Sequence, residues 1–312
     1  MVDMKRTKQH KVSCFPTVIS MGNYAIRLIG ECEENASYEL PKEASLFLVD
    51  GTLVRSEWNL LYFVILRKEF AEPEGKPLAG FEEGPVPYRI YKEASGNYIW
   101  VRKDKDKNNQ LIYRISKNWS IWQLLFDRTG GSSPDFFAEL AYLFPYSVLN
   151  KRGIMFHGVV MEWNDMGIIV CAHSGVGKST HTGMWKTGEG AQILNGDRAL
   201  CFQREEQWYT CGAPWNGSSM ECLNKNIKLR AVVILEQSET NQVVRLTSRQ
   251  GALELISLTF APAWEQELMN HALDLIDGVV RDIPVLKLGC KPDTEAVALL
   301  KQELIKLELI KL

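Results

Sequence analysis

The chain lacks the features that mark several large classes of protein. No stretch approaches 18 consecutive apolar residues, so no helical membrane span is expected. The basic start Met1-Val2-Asp3-Met4-Lys5-Arg6 is not followed by the apolar segment of a secretion signal. Cysteine is scarce and scattered: Cys14, Cys32, Cys171, Cys201, Cys211, Cys222 and Cys290 are odd in number and never take the C-x-x-C spacing of a zinc or redox site. They read as reduced thiols, and a cytoplasmic protein with no membrane partner is expected. Neither charge sign dominates, since 36 Lys and Arg stand against 38 Asp and Glu for a net charge of −2. A nucleic-acid partner, which needs a basic field, is therefore not expected. Fixed-period repeats and low-complexity tracts are also missing.

What is present is the composition of a folded globular chain. At 312 residues, 46% hydrophobic and 24% charged, it has room for two domains of about 150 residues each. The first half is strand-like. Tyr24 to Ile29 and Ser45-Leu46-Phe47-Leu48-Val49 are short apolar runs, the second followed by the turn Asp50-Gly51. Tyr88 to Tyr91, Tyr98 to Arg102 and Leu111 to Ile115, punctuated by Ser95-Gly96-Asn97 and a charged tip from Lys103 to Asn109, predict a three-stranded meander. Ser133-Pro134 reads as the cap of a helix carrying Phe136, Leu140, Leu143 and Phe144 on one face. The pattern breaks at Asn150-Lys151-Arg152-Gly153, which sets the predicted boundary between a β-rich region over 1–150 and a second domain over 151–312.

The second half opens with a predicted hairpin, Phe156 to Trp163 and Met166 to Cys171 around Asn164-Asp165. Directly after it, Ala172-His173-Ser174-Gly175-Val176-Gly177-Lys178-Ser179 fits a phosphate-binding loop of the Walker A kind, with alanine in the place of the first glycine. The residue types suit the task. Backbone N–H groups wrapped around a phosphate need unusual φ/ψ, which Gly175 and Gly177 permit. Lys178 supplies a cation for the β- and γ-phosphates, Ser179 a hydroxyl for Mg²⁺, and the helix opening at Ser179-Thr180 a positive end. ATP and Mg²⁺ are the expected cofactors, with Ser174 to Thr180 as their binding segment. The bland alternative is a glycine turn beside a surface lysine.

Such a loop needs an acidic residue at the end of a neighbouring strand. Asp197, in Asn195-Gly196-Asp197-Arg198, is the candidate metal ligand beside Ser179; the competing reading makes Asn195-Gly196 a hairpin turn that Asp197 caps. Gly212-Ala213-Pro214-Trp215-Asn216-Gly217 reads either as a loop closing over substrate or as a turn with Trp215 tucked into the core. Farther on, Leu229 to Leu235 and Ile283 to Leu288 predict strands. Glu265 to Val279 predicts a helix, and Asp293 caps a last one bearing Ala296, Val297, Leu300, Leu304 and Leu307. The apolar end Leu309 to Leu312 reads as terminal fraying or core packing ahead of a homo-oligomer contact.

Three features stand in one order: Phe156-His157-Gly158, Ser174 to Ser179, and Asn195-Gly196-Asp197-Arg198, with Asp197 nineteen positions after Lys178. Together, over about residues 150 to 290, they resemble the catalytic domain of HPr kinase/phosphorylase and its PEP-carboxykinase-like P-loop relatives. Within that group the likeness is greatest to kinases that tailor ribosomally made peptides, such as those phosphorylating a serine of a lasso-peptide precursor. The resemblance implies an α/β fold, a mixed sheet with flanking helices, behind the β-rich N-terminal region. It places His157 beside the transfer site and matches Asp197 to the second of two adjacent aspartates, the first being Gly196 here. Since that pair divides metal binding and proton acceptance, either His157 or Asp197 is left as the base. No arginine- and proline-rich loop for engaging HPr is found.

The expectation is thus a Mg-ATP-dependent kinase with His157, Lys178 and Asp197 at its catalytic centre, acting on a serine or threonine of a peptide or protein. Two alternatives remain: a kinase for a small molecule such as an amino acid or sugar, and a nucleotide-binding regulatory protein without catalysis.

Overall fold

The computed structural model describes residues 10–12, 17–30, 38–67, 70–81, 87–103, 110–126 and 136–309. The helix cap at Ser133-Pro134, the charged tip over 104–109, Cys14, Cys32 and the last three residues lie outside these. The chain divides into two compact units, Met1–Asn150 with Ala263–Glu265, and Lys151–Pro262 with Gln266–Leu312. Among the described residues no helix is long and apolar enough to cross a membrane.

The first unit is a mixed β structure closed by a helix. Its strands are β1 (His10–Val12), β2 (Thr17–Met21), β3 (Tyr24–Gly30), β4 (Tyr38–Leu40), β5 (Leu48–Asp50), β6 (Asn59–Arg67), β7 (Ala79–Phe81), β8 (Tyr88–Lys92), β9 (Tyr98–Lys103), β10 (Gln110–Ile115) and β11 (Ile121–Phe126), followed by α1 (Phe136–Leu149). Nine strands run in the order β5-β2-β3-β6-β11-β10-β9-β8-β7, and β1 pairs with β4. The predicted meander is the antiparallel β8-β9-β10 set. Unlike a plain series of hairpins, the sheet pairs β3 with β6 and β6 with β11 in parallel. Helix α1 is fixed by Tyr113, whose hydroxyl donates to Glu139 (2.6 Å), by Arg102 on the same carboxylate (3.0 Å), and by the Trp122 indole donating to Ser147 Oγ (2.9 Å).

One strand expectation fails. Lys42–Phe47 is a 3-10 helix and the strand begins only at Leu48. Pro41 presets the entry, Ala44 N–H returns to the Pro41 carbonyl (3.0 Å), and Ser45 Oγ donates to the Lys42 carbonyl (2.6 Å). Local hydrogen bonding by a proline-led segment thus overrides the apolar run.

The second unit contains β12 (Gly153–Trp163), β13 (Met166–Cys171), α2 (Lys178–Glu189), β14 (Gln192–Asn195), β15 (Arg198–Arg204), β16 (Gln207–Cys211), β17 (Asn226–Gln237), β18 (Gln242–Arg245), α3 (Ser248–Ser257), α4 (Gln266–Asp282), β19 (Val285–Cys290) and α5 (Thr294–Leu309). The hairpin β12-β13 turns at Asn164 (φ 48°) and Asp165 (φ 59°), residue types that tolerate the left-handed region. Strand β13 is buried along its length, antiparallel to β12 and parallel to β17, which is itself parallel to β19. Residues of alternate parity in a strand face opposite sides. Thus Ile168, Val170, Val233, Leu286 and Leu288 pack with Trp185 of α2 and Ala296, Leu300 and Leu304 of α5, while Val285 meets Gly251 of α3. The result is a mixed sheet flanked by helices, with the β13–α2 connection at the carboxyl end of a central strand, where open α/β sheets bind ligands.

Strands β14 and β15 do not pair with each other. Both run antiparallel to β12, one opposite Val160–Glu162 and the other opposite Gly153–His157. Asn195-Gly196-Asp197 is therefore a break in one extended path and not the hairpin turn that its sequence suggests. The cause lies in β12, long enough to satisfy both segments.

Candidate functional site

The glycines of the β13–α2 loop take the backbone geometry the sequence requires. Gly175 (φ 80°) and Gly177 (φ 115°) are left-handed, and Gly177 caps α2. Ser174 and Gly175 are exposed, Val176 and Gly177 half-buried, and Ser179 and Thr180 exposed at the first turn of the helix. The N–H groups of a helix's first turn have no acceptor within the helix, so this loop presents donors to solvent. Gln237, at the end of β17, donates to the Val176 carbonyl (3.3 Å) and ties the loop to the sheet. Sequence reading did not single it out, since one polar residue ending a buried strand carries no local signal.

Lys178 is buried, and its ammonium is fully engaged. Nζ donates to the carbonyls of Ala172 (2.7 Å) and His173 (3.2 Å) and lies 2.9 Å from His157 Nε2. Because a lysine ammonium only donates, Nε2 is the acceptor there and the neutral ring carries its proton on Nδ1. That nitrogen faces Asp197 Oδ1 at 3.5 Å, and Asp197 Oδ2 is 3.8 Å from Arg198 Nε. The structure thus brings together Lys178, His157, Asp197 and Arg198 in one chain of polar contacts.

Each member is held by backbone. His157 N–H donates to the Leu258 carbonyl (2.7 Å), and Gly158 N–H to the Asp197 carbonyl (3.0 Å). The Phe260 ring lies edge-on to His157 and beneath the Arg198 guanidinium, 4.9 Å away. Gly217 (φ 60°) sits against Asp197 so closely that an added Cβ would come within 2.9 Å of the Asp197 Cβ. Gly217 ends the glycine-rich segment that the sequence marks, whereas Phe260 is far from the motifs and no pattern announces it.

The electrostatics follow from burial. Burial pushes the Lys178 ammonium below the ordinary lysine value, with the Asp197 carboxylate acting in the other direction. Burial also lowers His157, helped by the positive charge of Lys178 and opposed by Asp197. Cys171, immediately before the loop, is pushed up to about 12 by burial, so it is an inert thiol at neutral pH. On α2, His181 is buried and accepts from the Trp185 indole (3.1 Å), and burial lowers it to about 4.

The Gly212–Gly217 segment is no lid. Residues 212–216 are buried, Trp215 among them, and their backbone is tied to Asn195 by two hydrogen bonds. Among the described residues no group of three or more His, Cys, Asp or Glu gathers as a metal cluster.

No family model matches this chain, and no curated protein matches it. Among solved structures, the Hpr(Ser) kinase/phosphatase from Coxiella burnetii is similar to 50% of this chain and 94% of its own, at 10% identity and a TM-score of 0.31. A score that low does not establish a shared fold.

Proposed function

We propose that the second unit is a Mg-ATP-dependent kinase that transfers the γ-phosphoryl group to a hydroxyl. The observation that carries this reading is the contact of Lys178 with His157 and of His157 with Asp197, at the mouth of a left-handed glycine loop that opens into α2. A glycine turn beside a surface lysine would need neither a buried lysine nor that chain of contacts.

The donor set fits the expected cofactors. Ser179 offers an exposed hydroxyl and Asp197 a carboxylate 30% exposed, both hard oxygen ligands. Mg²⁺ takes one or two protein oxygens and fills its octahedron with phosphates and water, so a site without a dense acidic cluster suits it. Bound there, the ion would neutralise charge on the phosphate oxygens.

In the reaction, the acceptor oxygen attacks the γ-phosphorus, the bond from that phosphorus to the β–γ bridging oxygen breaks, and ADP leaves with the electron pair. The acceptor proton needs a base. His157 has a single acceptor nitrogen, and Lys178 occupies it; Asp197 is the group left to take the proton, which leaves Ser179 as the protein ligand of the ion and His157 holding Lys178 in place. The acceptor class, serine or threonine of a peptide or protein, rests on the motif resemblance.

The test is transfer of labelled γ-phosphate from Mg-ATP to a panel of serine and threonine peptides, free amino acids and sugars, with Lys178→Met as control. Labelled peptide that disappears in the control supports the reading. Label on a small molecule moves the acceptor class, ATP binding without transfer favours a regulatory nucleotide binder, and equal turnover by Lys178→Met refutes the phosphate-loop assignment.

A further inference from the structure

Asn195 ends β14 with no exposed surface, and its side-chain amide is used to capacity. Oδ1 accepts from the N–H groups of Asp197 (2.9 Å) and Arg198 (2.6 Å). Nδ2 donates to the carbonyls of Ala213 (2.7 Å) and Trp215 (3.1 Å). An amide has two lone pairs and two N–H bonds, so all four are spent. The acceptor half meets the backbone where the path from β14 to β15 breaks, and the donor half meets the buried Gly212–Gly217 segment. That segment supplies Gly217, which packs against the Asp197 side chain. With the Asp197 carbonyl taken by Gly158 N–H, the aspartate is fixed on both backbone sides and pressed from above.

We propose that Asn195 is a positioning residue that holds the Asp197 carboxylate beside His157 by splicing the strand break to the Gly212–Gly217 segment. Its weight in catalysis rests on the kinase reading, whereas the placement of Asp197 does not. Acceptance from Asp197 and Arg198 is the local turn an asparagine makes with the next residues, and the two bonds to Ala213 and Trp215 join that turn to a segment about twenty residues on. The same four bonds explain why the residue before the glycine is polar yet wholly buried, since an apolar side chain would take one hydrogen bond from each of two carbonyls and two N–H groups.

His157 Nδ1 faces Asp197 Oδ1 at 3.5 Å, so displacing Asp197 must register at that nitrogen without any nucleotide. The experiment compares, at one fixed pH, the His157 ring ¹H and ¹⁵N resonances of the wild type, Asp197→Asn and Asn195→Ala. Both variants are expected to differ from the wild type, with Asn195→Ala reproducing most of the Asp197→Asn shift. An Asn195→Ala protein whose His157 resonances match the wild type overturns the proposal, as does one spectrum common to all three.

Amide exchange in the wild type needs no variant and guards against one that fails to fold. The Asp197 and Arg198 amides should exchange at least about a hundredfold more slowly than in an open chain, though they lie at a strand break; open-chain rates overturn the assignment. Where transfer is measurable, Asn195→Ala should lower kcat at least about tenfold and leave the nucleotide KM within about threefold, because Asn195 does not touch the phosphate loop. Failure of the kinase reading shows separately, as equal Mg-ATP binding by the wild type and Lys178→Met.

Discussion

Gly196 occupies the position where the resembled family carries its first aspartate, and the structure gives that glycine a steric cause. A Cβ there would lie 1.8 Å from Ser219 Oγ, 2.6 Å from Ser219 Cβ and 3.2 Å from the Asn216 carbonyl oxygen. Its φ is not left-handed, so alanine suits the backbone and the penalty of Gly196→Ala is one of space. Rotating the Ser219 hydroxyl relieves the first contact but not the second, so the Gly217–Ser219 turn must move. Ser219 Oγ donates to the Asn216 carbonyl (2.9 Å) and accepts from Glu221 N–H (3.3 Å). Losing both costs about 1 kcal/mol each, and the overpacking adds about 1–3 kcal/mol. The expected destabilisation is about 3–5 kcal/mol.

Urea unfolding of wild type, Gly196→Ala, Ser219→Gly and the double variant measures this as a cycle, read from midpoints at constant slope. Ser219→Gly removes both clashing atoms, so Gly196→Ala on that background should cost under about 1 kcal/mol, a coupling well above the additivity error. If Gly196→Ala alone falls within about 0.5 kcal/mol of wild type, the range of ordinary surface substitutions, the steric argument is refuted. By the same reasoning Gly196→Asp should disrupt the turn and add no transfer activity.

Two further predictions concern pH. The His181 pKa falls on folding from 6.5 to about 4, so between those values the unfolded chain binds the extra proton. The stability tied to that residue is whole above pH 6.5 and is lost as pH falls toward 4, about 3 kcal/mol in all; His181→Gln should flatten the urea midpoint over that window, and a slope unchanged from wild type counts against it. His157 is also depressed, and its protonation would remove the acceptor of Lys178 and set two cations together. The stability tied to His157 is therefore present above the free histidine value and is lost as pH falls below it. His157→Gln should remove that loss from the urea midpoint; the same pH profile in His157→Gln and wild type would contradict the contact.

The glycine loop between β13 and α2 was legible because backbone geometry of that kind is written locally. Gly175, Gly177 and Lys178 are dictated by backbone geometry and charge within a few residues, and the structure gives those glycines the left-handed φ that the loop needs. The β12-β13 hairpin and the helix capped by Asp293, whose carboxylate accepts from Ala296 N–H (3.0 Å), are likewise short-range. Where local rules competed, sequence was ambiguous. Asn195-Gly196 is a strong hairpin signal, yet the partner of both flanking strands is β12, a segment more than thirty residues earlier.

From sequence alone come the loop, its lysine, the candidate aspartate and the β-rich first half, since each depends on periodicity or on residue types at fixed short spacing. Tertiary structure alone decided that Lys178 is buried against His157, that Asn195 spends its amide on Asp197 and on the Gly212–Gly217 backbone, that Gly217 and Phe260 wall the site, and that Gly196 has no room for a side chain. Those facts depend on which distant backbones the sheet brings within hydrogen-bond or van der Waals range, and nothing in a run of neighbouring residues encodes that distance.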